Sequence, residues 1–123
     1  VANNAERQRR IQDRRISQRY SPKILLRSLS ASANNVDTEE SGLIVYTGSS
    51  NQDVTGYRAP GHDGGVLLIL VTGTGTMRHM LQDANSDAGN RMVFQGGGNV
   101  NVATNQALGL VYRDSRWREL KWA

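Results

Sequence analysis

From residue 43 onward the chain is a succession of short apolar or alternating stretches, each closed by Gly, Asn, Asp or Ser, and no helical period runs between them. The candidate strands are residues 43–47, 53–58, 66–72, 76–81, 91–95, 99–103, 107–112 and 117–122. Many short strands with turn formers between them predict a mainly β fold, an antiparallel β-sandwich or jelly-roll-like body. Within it, the run VLLILV over Val66–Val71 is apolar on both parities, which places it in the centre of a sheet. Val100 and Val102 alternate with Asn99 and Asn101, so that strand has one wet face. Trp117 is expected to cap the core.

The 123 residues suit one domain, but 37% hydrophobic and 6% aromatic content makes a lean core, the kind that often needs a partner to bury enough surface. Thirteen Gly against two Pro point to many turns and close backbone contacts. The absence of Cys excludes disulfides, thiolate metal sites and a Cys nucleophile. The longest apolar run is far too short to cross a bilayer, and the N-terminus lacks the apolar centre of a signal peptide. The chain is therefore expected to be soluble, made in the cytosol and without a membrane partner. Val1 permits removal of an initiator Met, so a processed start and a whole gene product are expected as well.

Charge divides the chain. Residues 1–27 carry eight bases against Glu6 and Asp13, a net of +6, whereas the remainder carries seven bases against nine acids, a net of −2. The division predicted is a basic, partly helical anchoring arm at 1–27, a linker at 28–42 and a β-body at 43–123. Asn3 or Asn4 can cap a helix built of good helix formers and ended by Pro22. That helix has no clean apolar stripe, so it should order only against something else. The following KILLRSLSAS is either a helical turn or a strand docked on the body. The anchoring residues expected are Arg7, Arg9, Arg10, Arg14, Arg15, Ile16, Arg19 and Tyr20.

The polar stretch HMLQDANSDAGNRM at 79–92 is the place to look for chemistry. Asp83, Asn85 and Asp87 have the first spacings of a calcium loop, but Ala88 stands where Gly belongs and Phe94 where the closing Glu belongs. A self-bonded turn is expected instead, with no metal and no cofactor. Two His, 62 and 79, without a nucleophile elbow are too thin a set for acid–base catalysis, so no catalytic residue is expected and His79 is given a structural role. GTGTM lacks the following Lys of a phosphate loop, and Gly73 and Gly75 are expected to form a hairpin.

Thr55, Gly56, Pro60 and Gly64, then His79, Asp83, Ser86, Ala88, Asn90 and Arg91, then LVYRDSRWR from Leu110 to Arg118, form an ordered pattern. Over about residues 53 to 120 this resembles a β-rich module of tailed-bacteriophage virion proteins. The resemblance implies a non-enzymatic virion structural protein, a homotrimer of the head-fibre or capsid-decorating type. Tail-fibre or tail-tip components that bind a host receptor are the alternative it leaves open, and it does not reach the arm.

The arm's arginines suit two partners: carboxylates on other virion proteins, major capsid or tail proteins, and phosphates of nucleic acid. Glu6 and Asp13 interrupt the run and Tyr20 is its lone stacking aromatic, which favours the protein surface. Candidate subunit-contact residues are His79, Asp83, Asn90, Arg91 and Trp122; the last is alternatively an exposed ring able to meet a sugar.

Overall fold

The computed structural model describes residues 23–121. The described chain is mainly β: β1 (Ile24–Arg27), β2 (Leu43–Tyr46), β3 (Gln52–Val54), β4 (Val66–Val71), β5 (Met77–His79), β6 (Met92–Val93), β7 (Val100–Val102), β8 (Ala107–Arg113) and β9 (Arg116–Glu119), with one 3₁₀ turn at Ala88–Asn90. Each of the eight expected strands is present; most are shorter than expected, β3 and β9 start one residue earlier, and β8 runs one residue further. KILLRSLSAS resolves as a strand, because Ile24–Arg27 pairs along β2. The sheet thus begins inside the segment assigned to the arm, and the assigned linker also holds two bridges to the body, Ala33 to Val54 and Val36 to Tyr57.

The strands form a six-stranded sheet in the order β1-β2-β4-β8-β9-β6 and a three-stranded sheet in the order β3-β5-β7. The expectation of antiparallel sheets is corrected here, since both are mixed. Pairs β1–β2, β2–β4, β3–β5 and β6–β9 are parallel, and β4–β8, β8–β9 and β5–β7 antiparallel. The cause is the path of the chain. From β2 to β8 it alternates between the sheets, and for the parallel pairs β2–β4 and β3–β5 the strand between them in sequence is the return path through the other sheet. A return of that kind re-enters the first sheet in the original direction, which gives parallel neighbours without the usual crossover helix. Only β8 and β9 are joined as a tight hairpin, through Asp114 and Ser115 at φ 53° and 59°. Two successive positive φ angles match the twist of the flanking strands.

Gly73 and Gly75 serve one such crossing, between β4 in the large sheet and β5 in the small one, and so do not form the expected hairpin. Their backbone lies on residues 46–50, with Gly73 N–H donating to the Tyr46 carbonyl at 3.1 Å and Gly75 N–H to the Gly48 carbonyl at 3.0 Å.

One core lies where the inner faces meet. The large sheet contributes Ile44, Tyr46, Leu67, Ile69, Leu110, Tyr112 and Trp117, and the small sheet Val54, Met77 and Val102. Burying each large apolar side chain stabilises the fold by about 1.5–3 kcal/mol before chain entropy is set against it. Strand β4 is central in the large sheet, as expected, but is not buried on both faces. Leu67, Ile69 and Val71 point inward while Val66 and Leu68 remain 51% and 43% exposed.

Trp117 is 3% exposed; its ring meets Tyr112 edge-on at 5.1 Å and its Nε1–H donates to the Tyr57 carbonyl at 2.9 Å. Trp117→Phe is expected to cost about 1–3 kcal/mol, from a carbonyl left without its donor and the volume lost. The midpoint of urea unfolding measures it, and an unchanged midpoint would show that this bond contributes nothing.

Candidate functional site

The 79–92 stretch begins inside the core. His79 ends β5 with no exposed surface, and its side chain completes a chain of buried polar groups. Its Nδ1 lies 3.2 Å from the Met77 carbonyl, which can only accept, so Nδ1 carries the proton. Nε2 is then the acceptor for the Tyr57 hydroxyl at 2.7 Å, and the Tyr57 oxygen accepts from the Tyr46 hydroxyl at 2.9 Å. Every hydrogen has a place. Burial pulls the imidazole down to about 4, only partly opposed by the Met77 carbonyl. It pushes Tyr46 up to about 12 and Tyr57 well above the usual phenol range, so all three side chains are neutral at pH 7.

Beyond His79 the stretch is a corner tied to segments far away in sequence. The Asp83 carboxylate accepts the Asn85 N–H at 2.8 Å, the self-bonded turn that was expected. Ser86, 2% exposed, shares a hydrogen bond with the Thr55 hydroxyl at 2.7 Å and accepts the Asn35 N–H at 2.9 Å. Asn35 in turn accepts the Asp87 N–H and the Asn90 amide at 2.7 and 2.9 Å. Asn90 Oδ1 accepts the Ala59 N–H at 2.9 Å, and Arg91 Nε–H donates to the Ser86 carbonyl at 3.0 Å. Of the three side chains with calcium-loop spacing, Asp83 accepts the Asn85 N–H, while Asp87 makes no capping bond with its side chain and is tied to the corner through its backbone N–H. Among the described residues no three His, Asp or Glu side chains converge to hold a metal.

The structure redistributes the expected subunit contacts. His79 is a core residue and cannot touch a partner, because it is sealed by its own chain. Asp83, Asn90 and Arg91 come together at the corner and bond within the chain. Trp122 and the arm residues Arg7, Arg9, Arg10, Arg14, Arg15, Ile16, Arg19 and Tyr20 lie outside the described residues.

Two surface features escape a reading by sequence. One is an open cleft of about 610 Å³ between the 37–42 and 58–65 segments, lined by Asp37, Arg58, Pro60, His62, Leu67 and Trp117 among others. Asp37 and Arg58 face each other at 3.7 Å there, both well exposed. Its walls come from segments that read as turn and linker, so only the fold assembles it. The other is the outer face of the large sheet, where Ile24, Leu26, Val66, Leu68 and Leu120 are between 43% and 66% exposed. The apolar run on both parities of β4 was the signal for it, read as central burial.

Comparison with protein-family models, with curated proteins and with solved structures finds no match to this chain.

Proposed function

We propose that the chain is a non-enzymatic virion structural protein of the tailed-phage kind, a capsid-decorating or head-fibre protein. Its two-sheet body is a sandwich module that assembles as a homotrimer, and its basic N-terminal arm attaches it to the particle. The observation that carries this reading is physical convergence of the three separated pieces of the resemblance. Thr55 of the first shares a hydrogen bond with Ser86 of the second, and an added Cβ on Gly56 would lie 2.7 Å from the Ser86 hydroxyl. Tyr112 of the third donates to the Gly89 carbonyl at 2.7 Å, and the Trp117 N–H to the Arg91 carbonyl at 3.0 Å. These contacts support reading the three pieces as one unit.

In this reading the body displays and the arm anchors. Arg7, Arg9, Arg10, Arg14, Arg15 and Arg19 offer planar, bidentate donors to carboxylates of a capsid surface. Three arms on one trimer raise avidity far above that of a single arm. Because β1 starts at Ile24, the cut that separates the functions belongs after residue 22. A chain lacking residues 1–22 is expected to keep its β-type circular dichroism yet fail to band with purified particles, whereas the full chain bands with them in hundreds of copies. Copies in small multiples of three would move the protein to the tail, and a full chain absent from particles would overturn the proposal.

A further inference from the structure

We infer that the outer face of the six-stranded sheet is a self-association surface covered by a second copy of this chain. The register places its side chains in rows. Leu26, Val45 and Leu70 form one, and Ile24, Leu43 and Leu68 another. Val66 and Val111 form a third, continued by Arg118. Leu120 lies over Gly109, at the end of the second row. These side chains alternate with the ones that enter the inter-sheet core, and all but Val45, which is 8% exposed, are exposed or only partly covered.

Size argues for a protein partner. Ile24, Leu26, Val66, Leu68 and Leu120 together expose on the order of 500 Å², the extent at which an apolar patch on a soluble protein marks a contact site. The half-covered Leu43, Leu70 and Val111 between them extend the patch toward the roughly 800 Å² that each partner contributes to a stable interface. The patch also reaches the edge strand of the described sheet, because among the described residues β1 is paired on one side alone and exposes Ile24 and Leu26 there. An uncovered apolar edge of this kind is an invitation to another chain.

Charge selects the occupant. Among the described residues the outward positions of β4, β8 and β9 carry no acid, and the β9 side carries Arg113, Arg116 and Arg118. The chain's own residues 1–22 bring six arginines against Glu6 and Asp13, so laying them over this face would set like charges together. A second copy can set the apolar half against its equivalent and leave the arginines at a hydrated rim. A face set against its equivalent closes a two-fold pair, so this contact is additional to the trimer of the proposed function; it is argued from this face alone and survives if the virion reading fails.

Sedimentation velocity of the full chain tests it. The wild type is expected to sediment as an oligomer. A chain carrying both Leu26→Glu and Leu68→Glu is expected to sediment as a smaller species with unchanged far-UV circular dichroism, its association through this face weakened by at least about a hundredfold. Asn101→Glu, on an exposed position of the small sheet, should leave association intact. Since the chain has no Cys, Leu68→Cys supplies one thiol for a short bismaleimide and keeps the test decisive if the double variant fails to fold. Cross-linked chains support the inference. An oligomer undiminished by the two charges, or a Cys at 68 that never cross-links in it, overturns it. So does a monomeric wild type: a shielded thiol at 68 would then assign the face to the chain's own residues, and a freely alkylated one to a different partner. Banding with particles is measured separately, so loss of either reading is told from loss of the other.

Discussion

Between pH 6.5 and pH 4 the chain is expected to lose roughly 3 kcal/mol of folding stability through His79 alone, at up to about 1.4 kcal/mol per pH unit. In the unfolded chain the imidazole takes up its proton near 6.5, while in the fold it resists until about 4. Between those values the unfolded state binds more protons, so stability rises with pH across the window and is fully present above it. Protonation in place would also reverse the relay, because Nε2–H would point at the Tyr57 hydroxyl that now donates to it. Tyr46 and Tyr57 stay neutral throughout, and Asp53, held below the usual carboxylate range by its hydrogen bonds to Arg78, contributes below the window. Urea unfolding followed at closely spaced pH values measures the slope. In a His79→Gln chain the slope from this group should vanish, while stability at pH 7 falls by about 1–3 kcal/mol because the Tyr57 hydroxyl loses a well-placed acceptor. An unchanged slope in that variant would place the acid lability elsewhere.

Gly75→Ala is expected to destabilise the fold by about 3 kcal/mol or more, and the double change at Gly73 and Gly75 to prevent folding. A Cβ on Gly75 would collide with the Ser50 carbonyl oxygen and lie 2.7 Å from its carbon and 2.9 Å from that of Ser49. One on Gly73 would collide with the carbonyl oxygens of Gly48 and Thr47. These obstacles are backbone and cannot rotate away. Relief would require the crossing from β4 to β5 to lift off the segment after β2, which breaks the hydrogen bonds from Gly73 and Gly75. Gly98→Ala is the control, since a Cβ there meets nothing within 4 Å, and its denaturation midpoint should stay within about 0.5 kcal/mol of wild type. Equal effects of Gly75→Ala and Gly98→Ala would show that close approach does not decide the role of Gly75.

The site was legible only as far as local chemistry reaches. Asp83 reads as a turn former and is one, because its carboxylate bonds a backbone two residues on. Ser86 and Asn90 read as parts of the same turn, yet their partners are Asn35, Thr55 and Ala59, which no spacing within 79–92 announces. His79 stands beside a polar run and looks like surface; it is drawn inside because Tyr57 and Tyr46 wait there to satisfy it.

By itself the sequence determined where eight of the nine strands lie, because turn formers mark their ends, and the wet face of β7, because strand geometry sends alternate side chains to opposite faces. It also determined that no loop in 79–92 has the residues to close around calcium. Only the tertiary structure decided the direction of the strands and which sheet each joins. Parallel pairing arises here from a path that alternates between two sheets, and such a path is a property of the whole chain, invisible in any window of it. The same holds for the outer face of β4. A strand apolar on both parities states that both faces avoid water, but what covers the second face is settled by the neighbours the fold provides, and among the described residues nothing covers Val66 and Leu68 fully.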